Sequence, residues 1–126
     1  MLLRRTNAER AKAGLGAMVS CGTVNRAAQA YAEEMAARGV LSHSGADGSS
    51  PASRMRAAGY VAVPGQRYMY GAENIAQGYK SVADVMRGWM NSKGHRDNLL
   101  APATTHIGMG RQGDWWVQNF GTGGVC

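Results

Sequence analysis

The spacing of apolar residues changes along this chain, and that change constrains the fold more than any other feature. In Val24–Met35 and Val82–Met90, apolar residues recur every three or four positions, as in an amphipathic helix. Nearer the end, Ile107–Arg111 and Trp115–Phe120 favour strands, and residues 112–114 favour a tight turn between them. Helices followed by a hairpin predict an α+β fold in which helices pack on a small sheet.

Capping residues predict where the helices begin and end. A first helix is expected over residues 2–13, and an extended segment over Tyr68–Ala72. Ser and Thr favour helix starts, whereas Gly favours the position just after a helix. The predicted N-caps are Thr23, Ser50 and Ser81, and the predicted stops are Gly14, Gly39 and Gly59.

Length and charge narrow the class of protein. The 126 residues fit a single domain, 1–126, which we expect to be monomeric. The net charge of +6 favours anionic partners such as a cell-wall or membrane component. The basic residues form no run and do not alternate with aromatic residues, so nucleic-acid binding is not predicted. No apolar stretch approaches the roughly 18 residues that a membrane span needs.

The two cysteines, Cys21 and Cys126, lie far apart in the sequence. Zinc sites typically bring paired cysteines within a few residues, so this spacing favours a disulfide. The alternative is two unrelated buried thiols. A disulfide indicates an oxidising compartment and hence a secreted, extracellular protein. Residues 1–3 are too short for the apolar core of a signal peptide, so the leader is expected to be absent from this chain.

Two motifs match catalytic or nucleotide-binding patterns only superficially. Residues 108–113 spell G-x-G-x-x-G, but a strand pattern follows them where a dinucleotide site needs a helix. We therefore interpret these glycines as part of a hairpin. Ser92 lies three residues before His95, but neither residue stands in a G-x-S-x-G elbow, so a Ser–His nucleophile lacks support.

Three other segments each place ionisable side chains near glycine, and functional residues often lie on loops held by a rigid scaffold. They are 41–48 with His43 and Asp47, 71–76 with Glu73, and 88–100 with His95. Two imidazoles and one or two carboxylates that converge fit Zn²⁺ or another divalent metal. The same groups could form a hydrogen-bonded cluster that braces the loops, or act as general acid and base.

Taken together, these segments resemble the CAP superfamily of cysteine-rich secretory proteins, antigen 5 and pathogenesis-related 1 proteins, also called SCP domains. The resemblance runs through nearly the whole chain. The chain is most similar to the compact type of the family found in bacteria and fungi. Its parts, in order, are 3–10, Ser42-His43, Glu73–Ala76, Trp89–Ser92, Gly94–Arg96, Ile107–Gly110 and Trp116–Gly121.

The resemblance implies an α-β-α sandwich with a small, mainly antiparallel central sheet flanked by helices. It also implies a central cleft lined by two histidines and acidic residues. The family's histidines match His43 and His95, and the Glu of its G-E-N signature matches Glu73. Animal and plant members have a second Glu where this chain has Ser92. We expect Asp47 to supply the missing carboxylate.

Two further residues are assigned supporting places. Arg54 follows Ser50 by four residues in the short helix, and we expect it to pair with Asp47 and hold the His43 loop. His106 directly precedes a predicted strand, so we expect it at the surface or at the strand end.

Two functions follow as hypotheses. The first is a secreted CAP-domain protein whose cleft binds a small ligand (a lipid, a sterol or a divalent metal) at or near a cell surface. In this hypothesis His43 and His95 bind the metal, and Zn²⁺ or another divalent ion is the one cofactor considered. The second is a cell-wall (peptidoglycan) hydrolase with Glu73 as general acid and Asp47 or His95 as its partner. A glycosidase needs two carboxyl groups roughly 5–10 Å apart.

Overall fold

The fold is a four-stranded sheet with helices on both faces. A computed structural model describes residues 2–126, except the side chains at positions 70 and 71. The elements are α1 (Leu2–Lys12), β1 (Val19–Ser20), α2 (Gly22–Arg38), α3 (Pro51–Ala57), β2 (Met69–Gln77), α4 (Val82–Met90), α5 (Lys93–Leu99), β3 (His106–Gln112) and β4 (Trp115–Thr122). This arrangement confirms the predicted α-β-α sandwich.

The sheet has the strand order β1-β3-β4-β2. Strands β3 and β4 form the antiparallel hairpin that the sequence predicts, with Gly108 opposite Asn119. Strand β2 pairs with the other side of β4, also antiparallel, and places Glu73 opposite the same Asn119. The short β1 runs parallel to β3. The sheet is therefore mainly antiparallel, and Glu73 lies within it.

Adjacent residues of β4 point into two separate cores, as the two-residue period of a strand requires. Val117 packs with Ala28 and Tyr31 of α2 on one face. Trp116 packs on the other face with the apolar side of α4, which includes Val85 and Trp89. The helical spacing in Val82–Met90 thus corresponds to one buried face of a short helix.

The glycines of β3 allow α2 to lie directly on the sheet. A Cβ added at Gly108 would stand 2.2 Å from the carbonyl carbon of Val24. At Gly110 it would stand 2.4 Å from the Cα of Gln29. These two glycines therefore serve close packing between helix and strand, and the G-x-G-x-x-G spelling has no relation to a phosphate site.

Most helix ends fall where capping predicts, but the start of α2 and the length of one strand differ from the prediction. The Ser50 and Ser81 side chains accept hydrogen bonds from backbone N–H groups, and Gly39 ends α2 at φ 68°. Helix α2, however, begins after Cys21, and the Thr23 hydroxyl donates to the Val125 carbonyl instead. The extended segment predicted over 68–72 is also too short, because β2 continues to Gln77.

The disulfide between Cys21 and Cys126 is confirmed, with the two Cα atoms 4.9 Å apart. Cys21 stands at the junction of β1 and α2. Cys126 follows an isolated bridge between Ala62 and Gly124. The bond thus joins the end of the described chain to the first residues of α2. None of the helices in residues 2–126 is long and apolar enough to cross a membrane.

Replacing both cysteines by serine should lower the free energy of unfolding by about 4 kcal/mol, because the bond closes a loop of 105 residues. Urea unfolding without reductant measures the change. Wild type treated with reductant should fall to the same stability. A loss below about 1 kcal/mol in both samples would contradict this assignment of stability to the bond.

Candidate functional site

The buried carboxylate of Glu73 is the centre of the candidate site. Its side chain is 1% exposed. Oε2 accepts hydrogen bonds from Arg54 Nη2 at 2.8 Å and from Asn119 Nδ2 at 3.0 Å. Oε1 lies 2.8 Å from His43 Nδ1. Both oxygens of Glu73 are therefore bonded to donors from three separate parts of the chain.

Arg54 holds the His43 loop, but through a different carboxylate from the one that the sequence predicts. Its close ion pair is with Glu73, whereas Asp47 interacts with Arg54 only through a minor Coulombic contribution. The guanidinium also lies 3.5 Å above the ring of Tyr31 and donates to the Ser49 carbonyl at 3.1 Å. The Tyr31 hydroxyl in turn donates to the Ser42 carbonyl. Together these contacts fix the backbone on both sides of His43.

His43 is half exposed, with 55% of its side chain accessible. Its Nδ1 is bonded to Glu73, so the carboxylate sets the orientation of the ring. The exposed part of the imidazole is available to an incoming ion or ligand, because the buried part is held by the protein.

His95 lies on α5 and is also anchored through Nδ1, which stands 2.9 Å from Ser92 Oγ. Ser92 is the N-cap of that helix, but its side chain contacts His95 instead of capping. Burial lowers the pKa of His95, and the nearby charge of His43 lowers it further. The structure therefore brings the two predicted histidines within electrostatic reach of one another.

A set of side-chain amides connects β2 to α5. Asn98 Nδ2 donates to Asn74 Oδ1 at 2.9 Å and to the Glu73 carbonyl at 3.3 Å. Asn74 Nδ2 donates to the His95 carbonyl at 3.2 Å. Neither these amides nor Asn119 was assigned a role from sequence. Their one signal is their position inside the segments that carry the family resemblance.

A pocket of about 290 Å³ opens beside His95. Its wall is mixed, with Leu41 and Trp89 as apolar parts and Ser92, Gln77 and His95 as polar parts. Trp89 donates its indole N–H to the Ile75 carbonyl, which holds that side chain in place. The structure thus has a small, half-polar recess beside His95, one of the two predicted histidines.

Asp47 is placed apart from this recess. Its Oδ1 accepts from the Ser49 backbone N–H at 2.9 Å. Hydrogen bonds from the backbone and side chain of Ser49 lower the pKa of this exposed carboxyl group. Asp47 also lines a separate groove between α2 and α3, together with Tyr31 and Ala58. Its carboxylate stabilises a turn in its own loop, and its predicted role as the missing carboxylate gains no support from these contacts.

The donor set of the cleft consists of two imidazoles, with the Glu73 carboxylate behind one of them. Across the part of the chain that the structure describes, a single group of three potential ligand atoms lies within 4.8 Å, and it contains Cys21, His106 and Cys126. His106 stands at the start of β3, as the sequence predicts, with Nδ1 2.9 Å from the Tyr60 hydroxyl. A metal in the cleft would need water or a bound ligand to complete its coordination.

The model of the cysteine-rich secretory protein family, CAP, matches residues 3–120. The chain belongs to the CAP family. It is 38% identical over 117 residues to the uncharacterized protein YkwD of Bacillus subtilis, covering 91% of this chain and 43% of that protein. It is 31% identical over 119 residues to the uncharacterized membrane protein YlbC of the same organism, covering 94% and 33%. The CAP domain thus spans less than half the length of these relatives.

Solved structures share the fold. An extracellular protein containing an SCP domain from Bacillus anthracis superposes with a TM-score of 0.83 at 26% identity, over 94% of this chain and 38% of that chain. An outer surface protein from Borrelia burgdorferi superposes with a TM-score of 0.82 at 24% identity, over 95% of this chain and 88% of that chain. A cysteine-rich secretory protein from Staphylococcus aureus superposes with a TM-score of 0.66 at 21% identity, over 95% of this chain and 36% of that chain. These superpositions support the α-β-α architecture.

Replacing Glu73 by Gln should lower the free energy of unfolding by about 3 kcal/mol, because it leaves the largely buried Arg54 without its counter-charge. Urea unfolding at neutral pH measures this loss. The matched control is Asp47→Asn, whose exposed carboxylate should change stability by no more than about 0.5 kcal/mol. Equal losses in the two variants would show that the buried ion pair is not the source.

The pKa of His95 should lie below that of an ordinary histidine and should rise in His43→Ala, because the variant removes the neighbouring charge. NMR titration of the imidazole signals measures both values, and His106→Ala is the control that should leave His95 unchanged. As the pH falls, the unfolded chain, with an ordinary histidine pKa of about 6.5, binds this proton before the folded chain does. The contribution of His95 to the free energy of unfolding is therefore present above about pH 6.5 and is lost as the pH falls toward the lower folded pKa. An unshifted His95 in His43→Ala contradicts the coupling.

Proposed function

We propose that this CAP domain is an exported protein whose cleft binds a small ligand together with a divalent metal ion such as Zn²⁺, held by His43 and His95. The anchoring of both imidazoles carries the proposal. His43 Nδ1 is bonded to Glu73, and His95 Nδ1 to Ser92. Histidines that bind metals in proteins commonly have their second ring nitrogen held in this way, which fixes the ring and leaves Nε2 for the ion.

Glu73 fits the part of an orienting carboxylate behind a histidine ligand. Its buried position keeps it from meeting an ion directly, whereas its bond to His43 fixes the orientation of that imidazole. Arg54 offsets the negative charge of Glu73. An incoming cation therefore meets a cluster with little net negative charge, which favours weak and reversible binding over a permanent structural metal.

The recess beside His95 supports a small ligand. Its volume, about 290 Å³, lies near the lower limit of about 300 Å³ for small-molecule pockets. The recess fits a small molecule or one end of a lipid or sterol, with an apolar part against Leu41 and Trp89. A polar or anionic group of the ligand would then face His95 and complete the coordination of the metal.

Three observations support action at or near a cell surface. The disulfide is typical of proteins from oxidising compartments. The relative from Bacillus anthracis, which this chain covers over 38% of its length, is described as extracellular. The net charge of +6 attracts anionic surface polymers and lipids.

The contacts do not favour the hydrolase hypothesis. A glycosidase general acid must present a proton to its substrate. Both oxygens of Glu73 instead accept bonds from protein donors, and Asp47 is bonded within its own loop. We therefore propose binding and not hydrolysis.

Calorimetric titration with Zn²⁺ tests the metal part, on protein with its disulfide intact. Wild type should release or absorb heat with a stoichiometry near one, and His43→Ala and His95→Ala should each lose at least about tenfold in affinity, since even outer-shell changes can cost that much. The matched control is His106→Ala, which removes the histidine outside the cleft and should bind as wild type does. No heat from wild type at micromolar protein, or equal affinity in all four proteins, would remove the metal from the proposal.

A further inference from the structure

A second cluster of metal-ligand side chains lies outside the cleft. Potential ligand atoms of Cys21, His106 and Cys126 all stand within 4.8 Å of one another. The two cysteines are joined as a disulfide. We propose that reduction of this bond converts the cluster into a Cys₂His site for Zn²⁺ or a similar thiophilic divalent ion, which would then join the same two chain segments in place of the S–S bond.

The backbone contacts around Cys21 do not depend on the disulfide. Its backbone N–H donates to the Ile107 carbonyl at 3.0 Å, which keeps it beside the start of β3. Its side chain is fully buried at the first turn of α2, with the Thr23 hydroxyl 3.4 Å from the sulfur. Reduction therefore leaves this thiol directed toward the same place.

The segment that carries Cys126 is likewise held by its neighbours. The Val125 N–H donates to the Val61 carbonyl at 2.9 Å, and the Val125 carbonyl accepts from the Thr23 hydroxyl at 2.7 Å. Cys126 itself is exposed, so a reductant and then an ion have a direct approach from solvent. The backbone of Cys21 and the residue before Cys126 are thus held by hydrogen bonds that do not involve the disulfide.

His106 has the fixed orientation that a metal ligand needs. Its backbone pairs with Gly121 in the sheet. Its Nδ1 lies 2.9 Å from the hydroxyl of the fully buried Tyr60. A protein partner of this kind on one ring nitrogen is the common arrangement for histidines that ligate through the other.

The chemistry balances with a dithiol as reductant. The dithiol transfers two electrons and two protons, so that it becomes a cyclic disulfide while Cys21 and Cys126 become thiols. The ion then displaces both thiol protons and binds two thiolates and the neutral imidazole, with water as fourth ligand. A tetrahedral Zn²⁺ with Zn–S bonds of about 2.3 Å places its two sulfurs about 3.8 Å apart. Once the S–S bond is broken, the two sulfurs have to move apart to this distance by side-chain rotation. The His106 ligand atom already lies within 4.8 Å of both sulfurs.

Cobalt(II) is a suitable probe, because bound thiolates give it a charge-transfer absorption in the near ultraviolet. The full chain is reduced with dithiothreitol, freed of reductant under anaerobic conditions, and titrated with Co²⁺ and then Zn²⁺. Reduced wild type should bind one Co²⁺ through its thiolates, with the charge-transfer band and tetrahedral visible bands, and Zn²⁺ should displace it. An ion in the cleft has no thiolate ligand and adds nothing to this band. The oxidised protein should show no thiolate band.

Two variants separate this site from the cleft. His106→Ala should lower the affinity of the reduced protein for Co²⁺ at least about tenfold, since even outer-shell changes can cost that much. His95→Ala, the matched control in the cleft, should leave the thiolate band and the Co²⁺ concentration at its midpoint unchanged, because this band reports only the ion that Cys21 and Cys126 bind. Absence of the band from reduced wild type, or equal affinity in His106→Ala, overturns the proposal.

The folded state of the reduced chain is followed by circular dichroism in the same samples. If the reduced chain unfolds, Zn²⁺ should restore the native spectrum of wild type and not that of His106→Ala. Failure of Zn²⁺ to refold wild type, or refolding of both proteins at the same ion concentration, also overturns the proposal.

Discussion

The ion pair between Glu73 and Arg54 is the interaction on which the candidate site depends. A carboxylate that is 1% exposed costs several kcal/mol to bury unless cations and hydrogen-bond donors surround it. Here α3 supplies Arg54, β4 supplies Asn119, and the 41–48 loop supplies His43. Because each of these partners stabilises the same charge, the helix, the strand and the loop keep one relative position.

A second buried cation positions the other half of the cleft. Arg10 of α1 is 2% exposed, and burial lowers its pKa. Its guanidinium donates hydrogen bonds to the backbone carbonyls of Leu99 at 3.0 Å, Ala101 at 2.9 Å and Gly16 at 2.8 Å. A planar guanidinium can bond several fixed carbonyls at once. Arg10 thereby holds the end of α5, the helix that carries His95, against the first helix of the chain.

The protein holds histidines in two environments, one around Glu73 and one at the disulfide, and these environments differ in their donor atoms. The first environment has two imidazoles anchored through Nδ1, with a recess beside His95 and the Glu73 carboxylate already paired. The cluster at the disulfide places one imidazole beside two sulfurs that are bonded to each other. The binding proposed for the first site needs no change in the disulfide, whereas the binding proposed for the second requires its reduction. One small domain therefore holds two separate sets of donor atoms, one around Glu73 and one at the disulfide.

Much of the secondary structure could be predicted from local sequence patterns alone. Helix caps at Ser50 and Ser81 and the apolar face of α4 could be predicted because each depends on residues within one or two turns of helix. The family segments located His43, Glu73 and His95. Helix α5 was missed because seven residues with an internal glycine carry a weak local signal, and contacts from Arg10 and Asn98 hold it. Likewise, β2 continues through Glu73 and Asn74, residues with low strand propensity, because β4 pairs with them.

Only the tertiary structure decided which charges meet. Arg54 stands closer in sequence to Asp47 than to Glu73, and the sequence therefore favours the wrong partner. In the folded chain Asp47 is exposed and accepts a hydrogen bond from a backbone N–H two residues away, which outweighs the Coulombic contribution of Arg54. Glu73 is carried by β2 into the interior, where a counter-charge is required, and Arg54 is the cation within reach. The sequence by itself determined the family and the candidate residues His43, Glu73 and His95. Burial decided how the charges pair, because the cost of an unpaired charge arises only where water is excluded.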